Sequence, residues 1–482
     1  MQIIRDKLNL RPYQEQVLGK IHNKNSFLVL PTGTGKTIVA IALAGLKINR
    51  GKILILAPTK PLVIQHKSSF DEYFDDSEKI VALTGAIAPN LRKKFWDNSK
   101  IICATPQTVE SDLIKGYFEP EKFSLVVFDE AHRAVGEYAY VWLAKKFEEC
   151  SQILAMSASP ASTNDRLTDI KNNLYVEHFE FRDESSLSTF IPTKTQEKIF
   201  VELTDAQKNI SKLLKDMLKD NIGILYSNNL IKSSDVSKIR KTKLLMLQKQ
   251  LFKLQNKEME TFVLISTTTI CIKLLHLIEM VETQSTKSFS KAMLKIESQM
   301  DKVKASKKIV NDWRYSRIKL LIDNLNKSYS GKVEKILELI DKTQKIIIFS
   351  QYRNTVDELV DVINSQSNSV AKAFVGQRGG LTQKKQIEIL DAYRNNEFNV
   401  LVATSVSEEG IHIDNADVGI FYEPVPSALR TIQRRGRIGR INVGKIYLLI
   451  TKDTIDEKYY WVSYHKERKM REILKNENNN RS

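Results

Sequence analysis

Leu30-Pro-Thr-Gly-Thr-Gly-Lys-Thr37 follows the apolar run Phe27–Leu30 and leads into Ile38-Val-Ala-Ile-Ala-Leu-Ala-Gly-Leu46. A buried strand, a glycine-rich turn and an apolar helix, in that order, are the context a phosphate-binding P-loop requires. Backbone N–H groups along Pro31, Thr32, Gly33, Thr34 and Gly35, with the helix N-terminus behind them, can cradle phosphate oxygens. Lys36 would then reach the β- and γ-phosphates of ATP, and Thr37 would ligate Mg2+. The strict pattern opens with glycine, whereas Leu30 holds that place here.

Outward from this loop the same grammar repeats. Phe27–Leu30, Lys52–Pro58, Lys100–Pro106, Leu125–Ala131 and Gln152–Ser159 are apolar runs separated by helix-length segments, the pattern of βαβ units on a parallel sheet. It returns from about residue 341, in Lys345–Gln351, Val370–Gly376, Asn399–Ser405, Val418–Pro424 and Lys445–Thr451. The stretch between differs. It has helical periodicity with lysines on the opposite face, and no proline between Pro192 and Pro424. The expected division is 1–190 for a first α/β domain, 191–330 for a helical insertion, and 331–482 for a second α/β domain with a C-terminal helix.

The formal charge is +17, which suggests a polyanionic partner. Residues 201–330 hold 24 Lys/Arg against 13 Asp/Glu, so most of the excess sits in the helical insertion. Cys103, Cys150 and Cys271 are scattered and form neither a disulfide framework nor a metal-ligand pattern. No uncharged apolar stretch reaches membrane-spanning length, and Met1–Tyr13 lacks the features of a signal peptide. These observations predict an intracellular chain, cytoplasmic or, in a eukaryote, nuclear, and a monomer by default.

Two further elements carry chemistry. Leu125-Val-Val-Phe-Asp-Glu-Ala-His132 puts Asp129 and Glu130 at the end of an apolar strand. Asp129 can hold Mg2+ through water, and Glu130 can polarise an attacking water, since phosphoryl transfer needs positioning and charge stabilisation more than covalent catalysis. In the far domain, Gln433-Arg-Arg-Gly-Arg-Ile-Gly-Arg440 reads as an arginine-finger element. Arg437 and Arg440 would stabilise charge on the γ-phosphate and Gln433 would orient water or contact the same phosphate. One ATP site would thus be assembled from two domains.

In this order the elements resemble those of a superfamily 2 helicase, and more narrowly the archaeal Hef and FANCM helicase family. The narrower likeness rests on Pro31–Thr37, Asp129-Glu-Ala-His-Arg-Ala-Val-Gly-Glu-Tyr-Ala-Tyr140, Ala403-Thr-Ser-Val-Ser-Glu-Glu-Gly410 and Phe421–Arg437. The resemblance implies two RecA-like parallel-sheet domains with a helical insertion between them. It implies ATP-dependent unwinding or migration of forked or branched DNA, 3′-to-5′ tracking, and DNA contact by the insertion. Arg11 and Gln14 would read the adenine, with Gly410 also at the nucleotide. Pro58, Thr59, Lys60, Thr84, Gly85, Thr105, Pro106 and Gln107 of the first domain would grip the nucleic-acid backbone. Gln351, Tyr352, Arg353, Gly376, Thr404 and Ser405 would do so from the second, and Ser157-Ala-Ser159 would link ATP state to domain movement.

Two departures matter. His412 stands where the family commonly has an aspartate near the nucleotide ribose, which puts that contact in doubt. The chain also stops at Ser482 without the nuclease domain many Hef proteins carry, which raises a nuclease or sliding clamp acting in trans as an expected partner. Glu467-Arg-Lys469 resembles the start of a nuclease motif but reads as a solvated face of a terminal helix. The alternatives are a double-stranded-RNA translocase and a degenerate helicase scaffold, the latter requiring damaged ATP motifs.

Overall fold

The computed structural model describes residues 8–158, 160–161, 163–187, 189–190, 195–254, 258–325, 329–341, 344–376, 382–404, 416–425 and 445–479. Seven strands build the first sheet: β1 (Ser26–Val29), β2 (Lys52–Leu56), β3 (Ile80–Leu83), β4 (Ile101–Ala104), β5 (Phe123–Phe128), β6 (Gln152–Ser157) and β7 (His178–Phe181). Their order is β3-β4-β2-β5-β6-β1-β7. Every pairing is parallel, so all seven C-terminal ends share one edge. Ile53, Ile55, Leu125 and Val127 pack on one face, and Leu54, Leu56, Val126 and Phe128 on the other. Burial on both faces is why these strands read as continuous apolar runs rather than alternating ones.

The second sheet contains β8 (Thr195–Val201), β9 (Ile346–Ser350), β10 (Ala371–Phe374), β11 (Val400–Thr404), β12 (Val418–Phe421) and β13 (Lys445–Thr451), in the order β10-β11-β9-β12-β13-β8. It too is all parallel. The boundary expected at 191 therefore falls one strand early. Thr195–Val201 pairs with β13 over seven residues and belongs to the second sheet. This strand was not legible because its residues are exposed or half-buried on an edge. β3 and β7, His-Phe-Glu-Phe, are also edge strands of only four residues each, and in β7 a histidine and a buried glutamate interrupt the apolar run.

The helical arm leaves the C-terminal end of β8 and returns to the N-terminal end of β9. A capping box starts it: Gln207 N–H donates to Thr204 Oγ1 (3.3 Å) and Thr204 N–H to Gln207 Oε1 (3.0 Å). Helices Asp205–Ser227, Lys241–Lys253, Met259–Thr283, Thr286–Glu297, Lys304–Val310 and Trp313–Leu325 enclose their own core. Met259–Thr283 is long and apolar enough to cross a bilayer by length and composition. In the fold it is the arm's central helix, with Leu274 and Leu277 fully buried. At the arm's base Lys332 ion-pairs with Asp456 and donates to Thr283 O (3.0 Å). Ser288 Oγ lies 2.9 Å from Thr355 Oγ1, which donates to Gln284 Oε1 (3.1 Å).

The last helix, Ile455–Asn479, bridges the two sheets. Tyr460 lies in the second domain's core, whereas Met470, Ile473 and Leu474 complete the first domain's. Lys475 pairs with Asp183 (3.0 Å), Lys171 pairs with Glu477, and Phe181 N–H donates to Asn478 Oδ1 (3.0 Å). Glu467 departs from the solvated face expected for it. It is buried and held by Arg471 at 2.7 Å, while Arg468 and Lys469 are exposed. Cys103 and Cys271 are buried thiols, and Cys150 is half-buried.

Candidate functional site

The P-loop is set by two left-handed glycines, Gly33 (φ 81°) and Gly35 (φ 78°). At Gly35 a Cβ would lie 2.5 Å from Gln14 Nε2. Glycine is needed there on both counts, conformation and space. Gln14, expected at the adenine, donates to Thr34 O (3.1 Å), and Tyr13 OH donates to the same carbonyl. Thr34 Oγ1 closes the turn on Pro31 O at 2.7 Å. Arg11 precedes helix Pro12–Ile21, donating its N–H to Gln14 Oε1 (2.9 Å) and Nη1–H to Phe190 O (2.8 Å). Lys36 Nζ folds onto Leu30 O (2.9 Å) and Pro31 O (3.1 Å). Thr37 lies in the first turn of helix Lys36–Lys47.

Asp129 directly follows β5, two strands from the P-loop strand. His66 Nε2 donates to Asp129 Oδ2 at 2.8 Å. Burial pushes the Asp129 carboxyl up, but His66 and the charge of Lys36 outweigh it and hold the group below its ordinary value. The backbone is fixed as well. Asp129 N–H donates to Leu56 O (2.9 Å), and the Tyr140 hydroxyl is 2.7 Å from Asp129 O and 3.1 Å from Leu56 O. Glu130 adopts φ 51°, a left-handed conformation that costs a non-glycine residue energy and clusters at functional sites. His132 Nδ1 lies 3.2 Å from Glu130 Oε2 and 3.4 Å from Ser157 Oγ, joining the Asp-Glu element to the segment expected to report ATP state. Among the described residues no three His, Cys, Asp or Glu side chains form a metal cluster of their own. Thr37 and Asp129 instead supply hard oxygens of the kind that hold Mg2+ together with phosphate.

The expected backbone-gripping residues of the first domain occupy the other half of the same edge, on β2, β4 and β3. Thr59 precedes helix Lys60–Tyr73 and Thr105 precedes Pro106–Ile114. Lys60, Gly85 and Gln107 are exposed, Pro58 and Thr59 half-buried, and Thr84 and Pro106 buried. Thr59 does not cap its helix, and its hydroxyl has no partner among the described residues. In the second domain Thr404 ends β11 with a hydroxyl likewise unpartnered among the described residues. Gln351 N–H donates to the buried Glu423 (2.6 Å), Arg353 is exposed, and Gly376 follows β10 half-buried. Tyr352 is half-buried and packs against the arm's core, so its ring serves the seam there. Ser159, Ser405, Gly410, His412, Gln433, Arg437 and Arg440 lie outside the described residues.

Residues 7–162 match the family described as Type III restriction enzyme, res subunit; residues 331–442 match Helicase conserved C-terminal domain. Residues 206–328 match "Putative ATP-dependent RNA helicase, helical bundle". Among solved structures, the Pyrococcus furiosus Hef helicase domain is 39% identical, with a TM-score of 0.76 over 96% of this chain and 100% of that one. The chain belongs to the Hef-type superfamily 2 helicases.

Other relatives of this Hef-type chain are longer. "Putative ATP-dependent RNA helicase MJ1505" of Methanocaldococcus jannaschii is 38% identical over 97% of the chain and 61% of the relative. ATP-dependent DNA helicase mph1 of Neurospora crassa is 29% identical over 94% and 42%. The chain thus spans about three fifths of the archaeal protein and two fifths of the fungal one. Four groups at the Hef-type site escaped the sequence reading: His66, Tyr140, His132 and Glu423. His132 and Tyr140 lie within the stretch Asp129–Tyr140 that carries the resemblance but have no role of their own there, and His66 stands in the buried stripe Val63, His66, Phe70, where a histidine demands a partner.

Proposed function

We propose that the chain is an ATP-dependent DNA helicase or translocase that acts on forked or branched DNA, tracks 3′ to 5′ and uses Mg2+. The observation that carries this reading is one sheet edge with nucleotide elements after β1 and β5 and backbone-gripping elements after β2, β3 and β4. A nucleic-acid strand on one half would lie beside ATP on the other. Lys36 would leave the Leu30 and Pro31 carbonyls for the β/γ-phosphates, and Glu130 would polarise water. Thr37 and Asp129 would hold Mg2+, which neutralises phosphate charge when bound. Gln433, Arg437 and Arg440 would complete the site from the second domain.

The arm supports a branched substrate. Trp313 is 67% exposed, and Lys302, Lys304, Lys307, Lys308 and Arg317 around it are exposed and make no ion pairs among the described residues. Unpaired cations suit phosphates, and an exposed indole suits stacking on an unpaired base. Arg314 beside Trp313 pairs with Asp220, roughly 22 Å along helix Asp205–Ser227 from its start. The pair therefore sits in the half of that helix farther from β8.

ATPase and unwinding measured over duplex, forked and four-way DNA and RNA test the reading. Forked DNA should stimulate most, and Trp313→Ala should reduce the preference for forks over single strands. ATPase unmoved by any nucleic acid overturns it. A duplex-RNA translocase is the second reading, favoured by the names of the M. jannaschii relative and the helical-bundle family. Stronger stimulation by duplex RNA than by forked DNA would establish it.

A further inference from the structure

Helix Lys60–Tyr73 touches both halves of the sheet edge. Thr59 and Lys60 stand at its start; the Thr59 hydroxyl is buried without a partner among the described residues and does not cap the helix, so first-turn backbone N–H groups are left for a phosphate oxygen. Seven residues on from Thr59, on the same helical face, His66 donates to Asp129 Oδ2. His66 is 5% exposed, so its placement against the sheet depends on that carboxylate. A second tie runs in parallel. Leu56 O, one residue before Ala57-Pro-Thr-Lys60, accepts both Asp129 N–H and the Tyr140 hydroxyl, and Tyr140 also reaches Asp129 O.

We propose that His66 is a positioning residue that couples nucleic-acid contact at Thr59 and Lys60 to the placement of the Asp129 carboxylate. The inference rests on the functional reading above. Helical hydrogen bonds make Thr59 and His66 ends of one stiff body, so a shift at its N-terminus moves Asp129 Oδ2. Misplacement of a catalytic group by about 1 Å costs on the order of a hundredfold in rate, so a smaller shift suffices to set a strand-dependent rate.

The test measures ATPase against forked-DNA concentration at saturating ATP, giving a DNA-saturated kcat, a half-saturating DNA concentration and a stimulation ratio. His66→Phe keeps a flat aromatic ring and removes the donor; it should lower the stimulation ratio about tenfold and leave half-saturating DNA within about twofold. His66→Gln returns an N–H donor and should recover most of the ratio. Lys60→Ala should lower kcat in the wild type but no further in His66→Phe. Tyr140→Phe removes only a hydroxyl and should lower the ratio several-fold; it stands in should His66→Phe not fold. A stimulation ratio unchanged in His66→Phe, or in Tyr140→Phe where that is the variant read, or additive effects with Lys60→Ala, overturn the inference alone. Wild-type ATPase indifferent to nucleic acid overturns the functional reading and this inference together.

Discussion

On the half of the first sheet's edge proposed for the nucleotide, the polar groups are tied down. Gln14 and Tyr13 hold Thr34, Thr34 holds Pro31, His66 holds Asp129, and His132 lies between Glu130 and Ser157. On the half proposed to grip nucleic acid, Lys60, Gly85 and Gln107 face solvent and the buried Thr59 hydroxyl has no partner among the described residues. The difference fits two kinds of ligand. A nucleotide has one shape and rewards preorganised dipoles. A sliding backbone offers the same phosphates at every step, so contacts need charge and reach more than fixed geometry.

That contrast can be broken at several strengths. Lys36→Ala should reduce DNA-stimulated ATPase by about 10²–10³-fold while DNA affinity by fluorescence anisotropy changes little; parallel losses in both would erase the distinction. Chelating Mg2+ should stop hydrolysis and leave DNA binding at matched ionic strength nearly intact, checked on the same two readouts. Gly35→Ala meets both a left-handed φ and Gln14, and should weaken nucleotide binding about tenfold in calorimetry, or about 1.4 kcal/mol, within the range of about 1–3 kcal/mol typical of such strain. Lys60→Ala is the mildest. It should weaken DNA binding a few-fold and reduce the slope of log affinity against log salt by about one, with DNA-free ATPase unaltered.

The same contrast governs how much could be read from sequence. The P-loop, the Asp129–Glu130 strand end and most of the buried strands are local patterns, where a period, a glycine spacing or an apolar run suffices. The helical arm announced itself through its 3.6-residue period and lysine excess. What local pattern cannot carry is partnership across the chain. Tyr140 looks like any helical aromatic until its hydroxyl is found on Asp129 O. Lys332 and Asp456 are an ordinary lysine and an ordinary N-terminal helical aspartate in sequence, yet form a buried pair 124 residues apart. β8 was misassigned for the same reason, since its only strong identity is its pairing with β13.

The bridging helix Ile455–Asn479 changes what counts as a domain in this molecule. The first sheet is enclosed by residues from both ends of the sequence, because Met470, Ile473 and Leu474 belong to the core that contains Leu167, Ile170 and Phe179. A fragment ending near residue 190 would be an open shell rather than a smaller protein, its edge strand β7 stripped of cover. Fluorophores at the two ends of that helix would report bending of a strut, whereas domain separation would show only once the strut detached.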